Sequence, residues 1–277
     1  SSQRSFFEKY LRDAGLNPVD HMIFVTDPGS PLDIDVRKAG FAVINADPKV
    51  GGRFSALTAF GLTPAALMGV DASVLLDQAS DCRELILNNP EQILDVAYLL
   101  LTQSEQFLGF TDSGSSFPGL SDWIEQLIAE STGKDQKGRL PIVVESDKSK
   151  VSGDALSIGF AKSQSDLNVT ASLGEHFILW EWVTALLCRA LKVDPFNQPN
   201  VTEAKNATSA LLTEWGGKLP SFTPEYSDKS VGIFGAGDSV LSALQSLVAS
   251  VVVGGYISIH AYLDRRDDVR LVALRKV

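Results

Sequence analysis

Apolar residues recur at helical spacing through residues 3–14, stop at Gly15-Leu-Asn-Pro18, and give way to the short run Met22-Ile-Phe-Val-Thr26. A change from a 3.6-residue period to a brief continuous apolar run reads as helix, turn, strand. Asp27-Pro-Gly-Ser-Pro31 follows as a loop, residues 32–39 as a short helix and 41–45 as the next strand. Strand, helix, strand predicts a parallel pair with a right-handed crossover, and such folds take ligands just past the C-terminal ends of the strands. A core segment, 57–70, has Pro64 at a helix start, with its helix beginning near Ser55; further helices are predicted over 72–87 and 90–101. The pattern then repeats as a strand at 107–110, a Ser/Gly-rich loop to Pro118, a helix within 119–134, and strands at 140–144 and 156–161. A long helix opens at Leu173 and runs to about Leu191, and another is capped by Asn200. Strands at 231–234 and 256–262 enclose a helix over 239–251. The fold class is α/β, two lobes with parallel sheets flanked by helices, divided as 1–103 and 104–277.

Chemistry is concentrated on two of these segments. In the helix after Pro118, Ser121 or Asp122 is the expected cap and Gly133 the stop. Trp123, Leu127 and Ile128 make the buried stripe, while Gln126 and Glu130, four apart, share another face. Glu130 lies in the last turn, at the end of the helix dipole that disfavours its ionised form, a place suited to a general base. The plain alternative is a solvated carboxylate at a helix end. The second segment, Asp47-Pro-Lys-Val-Gly-Gly-Arg-Phe-Ser55, stands past a strand end. There Gly51 and Gly52 let the backbone turn and approach a ligand, and Arg53 adds a fixed positive charge. Anion recognition is one use of this triplet; a tight turn with a solvated arginine is the other.

Two further features are weaker. His176 falls near a helix N-terminus, where its protonated form is disfavoured, and is equally an acid–base group or a packed core residue. Gly235-Ala-Gly237 after a predicted strand hints at a dinucleotide loop, but Val240 occupies the third glycine position, so the hint is set aside.

With 277 residues the chain can bury a large core, and a formal net charge of −10 argues against phosphate-backbone binding as its main activity, so no nucleic-acid partner is expected. Local positive charge can still hold a small phosphate. The two cysteines, Cys82 and Cys188, have no second pair and no CxxC spacing, which fits reduced thiols and a cytoplasmic location. No signal segment is visible, and the longest apolar run, 247–253, is too short to span a bilayer, so no membrane partner is expected.

Four segments, in order, resemble the phosphoglucose isomerase (glucose-6-phosphate isomerase) family, most closely its bacterial branch often fused behind a transaldolase. Val50-Gly-Gly-Arg-Phe-Ser55 is similar to the family's Val-Gly-Gly-Arg-Tyr-Ser loop, and Gln126-Leu-Ile-Ala-Glu-Ser-Thr-Gly-Lys134 to its Gln-x-x-x-Glu-Ser-x-Gly-Lys signature. Gly174-Glu-His176 is similar to its Gly-Gln-His, and Phe196-Asn-Gln-Pro-Asn-Val-Thr-Glu-Ala-Lys205 keeps its Phe-Asp-Gln to Lys spacing. The resemblance implies two sugar-isomerase lobes that interconvert glucose 6-phosphate and fructose 6-phosphate through a cis-enediolate. Glu130 would be the base, and Arg53 would stabilise the developing charge. His176 and Lys205 would serve ring opening, while Gln126 and Gln198 would bind substrate beside Gly51 and Gly52. It implies no metal and no organic cofactor, a sugar-phosphate partner, and a homodimer in which His176 reaches the neighbouring subunit's site. In the family a phosphate loop precedes the point matched by residue 1, so a fragment with an incomplete first lobe is expected. The alternatives are a non-catalytic sugar-phosphate-binding lobe and a structural lobe of a larger fused enzyme.

Overall fold

The computed structural model of the chain describes residues 2–105, 107–144, 155–161, 165–216, 218, 220–228, 230–235 and 237–258. In chain order the elements are α1 (Ser2–Asp13), α2 (Pro18–His21), β1 (Ile23–Thr26), α3 (Pro31–Lys38), β2 (Ala42–Asn45) and a single 3-10 turn (Gly52–Phe54). Next come α4 (Ala59–Leu67), α5 (Ala72–Asn88), α6 (Glu91–Thr102), β3 (Phe107–Thr111), α7 (Leu120–Thr132), β4 (Leu140–Val143), β5 (Ala155–Gly159) and β6 (Leu167–Asn168). The remainder is α8 (Leu173–Leu191), α9 (Pro199–Glu214), β7 (Tyr226–Ser227), β8 (Gly232–Ile233) and α10 (Val240–Ala249). The chain packs as two compact units, Ser1–Gln198 and Pro199–Val277.

The first unit holds two parallel sheets flanked by helices, as the α/β pattern requires. β1 and β2 pair in parallel from Ile23↔Ala42 to Thr26↔Asn45, joined through α3. Ser30 starts α3 by accepting from Asp33 N at 3.1 Å, ahead of Pro31 in the first helical position. The larger sheet is parallel throughout, in the order β4-β3-β5-β6. β3 therefore has a later strand on each side, so chain connections diverge at its C-terminal end. Leu108, Gly109 and Phe110 are all buried there, the continuous burial expected of a parallel strand covered on both faces. Phe110 sets its ring edge-on to Trp180 at 5.3 Å, and Ile124, Leu127, Ile128, Ile158, Val183 and Leu187 complete an enclosed core. α8 packs on α5, α6 and α7.

The long helix matches its expected bounds, with Glu175 Oε2 accepting from Ser172 N at 2.6 Å at its start. Other boundaries differ for local reasons. No helix begins near Ser55: bonds from Ser55 N to Gly52 O and Thr58 N to Ser55 O keep the chain in turns until Thr58 caps α4. Pro64 consequently lies inside α4, not at its start. Neither Ser121 nor Asp122 caps α7. Gly119 takes that position at φ 93, and Asp112 Oδ2 accepts from Gly119 N at 2.8 Å and Ser121 N at 3.2 Å, so a carboxylate from the preceding loop serves the helix end.

In the second unit α9 begins at Pro199, which suits a first helical position, so Asn200 lies within the helix and does not cap it. β7 and β8 form an antiparallel hairpin, Tyr226↔Ile233 and Ser227↔Gly232. Gly235 thus follows a hairpin strand, whereas a dinucleotide loop follows a parallel one. Ser239 caps α10 by accepting from Ser242 N at 3.1 Å. Of the strand expected over 256–262, residues 256–258 are not in a strand and the rest lie outside the described residues. Among the described residues no helix is long and apolar enough to cross a membrane.

Candidate active site

The site is built where α7 ends. A Cβ at Gly133 would stand 2.6 Å from Ala129 O, so glycine there lets the chain leave the helix tightly, as expected. On the preceding turns Gln126 Nε2 donates to Glu130 Oε1 at 3.0 Å, which orients the carboxylate. The 3-10 turn brings Arg53 against this helix end, buried to 4% exposure. Its Nε donates to Ser131 Oγ at 2.7 Å, and its Nη2 to Asn197 O at 3.1 Å and to Pro195 O. Nη1 lies 3.6 Å from Glu130 Oε2 and makes no hydrogen bond. The plain reading of Arg53 as a solvated turn residue is thereby excluded.

A second cation completes the wall. Lys134, also buried, donates from Nζ to Asp194 O, and Asp194 Oδ1 accepts from Phe196 N at 2.8 Å. Phe196 meets Phe54 with ring centroids 5.2 Å apart. Burial lowers the pKa of Arg53, with Glu130 the largest opposing influence, and a guanidinium keeps its charge regardless. Lys134 is also lowered, first by burial and then by Arg53. Cys188 donates to Ser131 O at 3.3 Å, and burial pushes its thiol up to about 11 against the pull of Lys134 and Arg53. Both cysteines are free and buried. Arg53 thus stands beside the partly exposed carboxylate of Glu130, with the second buried cation, Lys134, close enough to Arg53 to affect its charge, a local concentration of positive charge in an acidic chain.

The sequence-selected residues are placed unevenly. Gln126, Glu130 and Arg53 come together. Gly51 has an extended backbone at φ −69 and neither glycine has a positive φ, so neither serves a left-handed turn; a Cβ at Gly52 would meet nothing within 4 Å. Gln198 ends the loop held by Arg53, and Lys205 lies on α9 in the second unit. His176 is fully enclosed, its ring edge-on to Phe117 at 5.8 Å and Phe160 at 5.2 Å, with neither nitrogen hydrogen-bonded. Its pKa falls to about 4, chiefly through burial and against the influence of Glu175. Neighbouring Gly174 is there for packing: its N–H donates to Gln78 Oε1 at 3.1 Å, and a Cβ would stand 2.3 Å from Leu75 O. Ser131 and the 194–197 carbonyls were not singled out from sequence, and Lys134 entered only as the last residue of the quoted Gln126-to-Lys134 signature, which also contains Ser131. Among the described residues no three His, Cys, Asp or Glu side chains are grouped to hold a metal ion.

No protein-family model matches the chain. Several curated proteins do, each named glucose-6-phosphate isomerase. The one from Campylobacter jejuni is 36% identical over 118 residues, 42% of this chain and 29% of its own length. Over that stretch the chain is similar to the glucose-6-phosphate isomerases. It aligns with less than a third of that relative. Among solved structures, a hypothetical protein from Thermus thermophilus superposes with a TM-score of 0.66 at 23% identity, covering 76% of this chain and 68% of that one. A glucose-6-phosphate isomerase from Chlamydia trachomatis gives 0.63 at 14% identity, covering 78% and 57%. At such identities these two establish the shared fold.

Proposed function

We propose that the chain carries the proton-transfer centre of an aldose–ketose isomerase that interconverts glucose 6-phosphate and fructose 6-phosphate. The observation that supports this reading best is the hydrogen-bonded, partly exposed Glu130 with an uncommitted N–H group of Arg53 beside it. In the open-chain aldose Glu130 takes the proton from C2, leaving a cis-enediolate. The same carboxyl then returns the proton to C1 while the O2 hydroxyl proton passes to O1, giving the ketose. Negative charge develops on the enediolate oxygens, and Arg53 Nη1 meets it without giving up another bond. Gln126 holds the base in line. Gln198 belongs on the phosphate side and Lys205 in ring opening, both on the strength of the resemblance. The enclosed, apolar setting of His176 favours a packing role for it over ring opening or contact with a second subunit's site.

Glu130→Gln in the full protein tests this reading. We expect glucose 6-phosphate isomerisation by the parent, and in the variant loss of exchange between the C2 hydrogen and solvent while fructose 6-phosphate still binds. Exchange at the parent rate in the variant would remove Glu130 from the role. Binding without exchange by the parent would instead support a non-catalytic sugar-phosphate-binding lobe.

A further inference from the structure

Three carbonyls of one short loop, those of Asp194, Pro195 and Asn197, accept hydrogen bonds from two buried cations, Lys134 and Arg53. Lys134 forms no ion pair among the described residues. A buried ammonium next to a guanidinium is unfavourable on both counts, and an apolar side chain of the same length would avoid that cost. Its contribution here is the loop it holds.

The donors of Arg53 explain why the loop matters. Nε is committed to Ser131 and Nη2 to the loop, which leaves Nη1 beside Glu130. If the loop shifts, Nη2 loses its acceptors and the Nε bond to Ser131 is, among the described residues, the one hydrogen bond left to set the guanidinium's orientation. We propose that Lys134 is a positioning residue: by fixing the start of the 194–198 loop it keeps Arg53 Nη1 aimed at Glu130, and holds the segment ending in Gln198. This rests on the isomerase reading of Glu130 and Arg53. The loop clamp itself does not.

The test uses Lys134→Met, near in size and uncharged, with amide hydrogen exchange over 194–198 and steady-state kinetics on glucose 6-phosphate. Exchange in the loop is expected to rise at least about tenfold while α8 stays protected. Turnover should fall by about 10² with a much smaller change in KM, the pattern of a misplaced catalytic group. Lys134→Gln, which keeps a donor without the charge, is measured in the same way should the methionine variant fail to fold. Unchanged loop exchange overturns the clamp, and faster exchange with unchanged turnover overturns the positioning role. If the parent shows no isomerisation, the functional reading falls while the exchange measurement still decides the clamp.

Discussion

Arg53 Nη1 stands 3.6 Å from Glu130 Oε2 without a hydrogen bond, while Nε and Nη2 of the same guanidinium are both engaged. The Arg53 side chain is 1% exposed and that of Glu130 33%, so the arginine is fixed and the carboxylate is reachable from solvent. A donor already placed and not yet used needs little reorganisation when charge appears beside it.

Arg53→Lys should therefore lower turnover on the order of 10² or more, with a smaller effect on fructose 6-phosphate affinity. A lysine ammonium has three donors but no planar fork, so it cannot serve Ser131, the loop carbonyls and the Glu130 side together. Comparing kcat with substrate affinity checks this. Unchanged turnover would leave Arg53 as a loop anchor alone.

Cys188 and Cys82 are both buried, and burial raises both thiols above their ordinary range. The native protein is expected to react slowly with a thiol reagent at pH 8, and to release two equivalents of thiol only on unfolding in guanidinium. A thiol that titrates rapidly in the native state would contradict either the packing of α8 against Ser131, for Cys188, or that of α5 against α8, for Cys82.

Patterns with a single physical cause were legible in the sequence. α8 could be bounded at both ends, and the parallel β1–β2 pair followed from the strand-helix-strand order. Glu130 and Gln126 could be placed on one helix face because helical spacing alone decides it. What was not legible depends on distant partners. Asp112 replaces the expected cap of α7, and the solvated or buried state of Arg53 turns on carbonyls more than 140 residues away. His176 is similar. Its burial comes from Phe117 and Phe160 on other elements, which no local pattern around Gly174 encodes.

Two glycines should respond in opposite ways to the same substitution. Gly174→Ala forces a methyl group to within 2.3 Å of Leu75 O, a backbone atom that cannot swing away, and should cost about 1–3 kcal/mol as an overpacked contact between α5 and α8. Gly52→Ala meets nothing within 4 Å, so stability should hold, while fructose 6-phosphate affinity should fall if a ligand uses that space. Thermal unfolding and ligand titration of both variants separate the two. A stable Gly174→Ala protein would mean that α5 and α8 pack less closely than described.

Two groups on α8, the buried His176 and the half-buried Glu181, should give the stability curve opposing slopes. His176 has its pKa held near 4 against an ordinary 6.5. As pH falls from about 6.5 to 4 the unfolded chain takes up a proton that the native ring refuses, so stability is lost, up to about 3 kcal/mol. Glu181, with Oε1 enclosed and unpartnered, is pushed up by burial to about 7 from 4.5. Its native carboxyl keeps a proton that the unfolded chain releases, so its contribution is complete below pH 4.5 and is lost as pH rises through 7. Between about pH 4.5 and 6.5 the two offset each other in the parent. His176→Leu removes the acid-side loss and should leave a protein whose stability declines with rising pH. Glu181→Gln should leave one whose stability declines with falling pH. Denaturant unfolding at pH 4.5, 5.5, 6.5 and 7.5 for parent and both variants reads these slopes directly. Three parallel curves would mean that neither group is held away from its ordinary protonation by the fold.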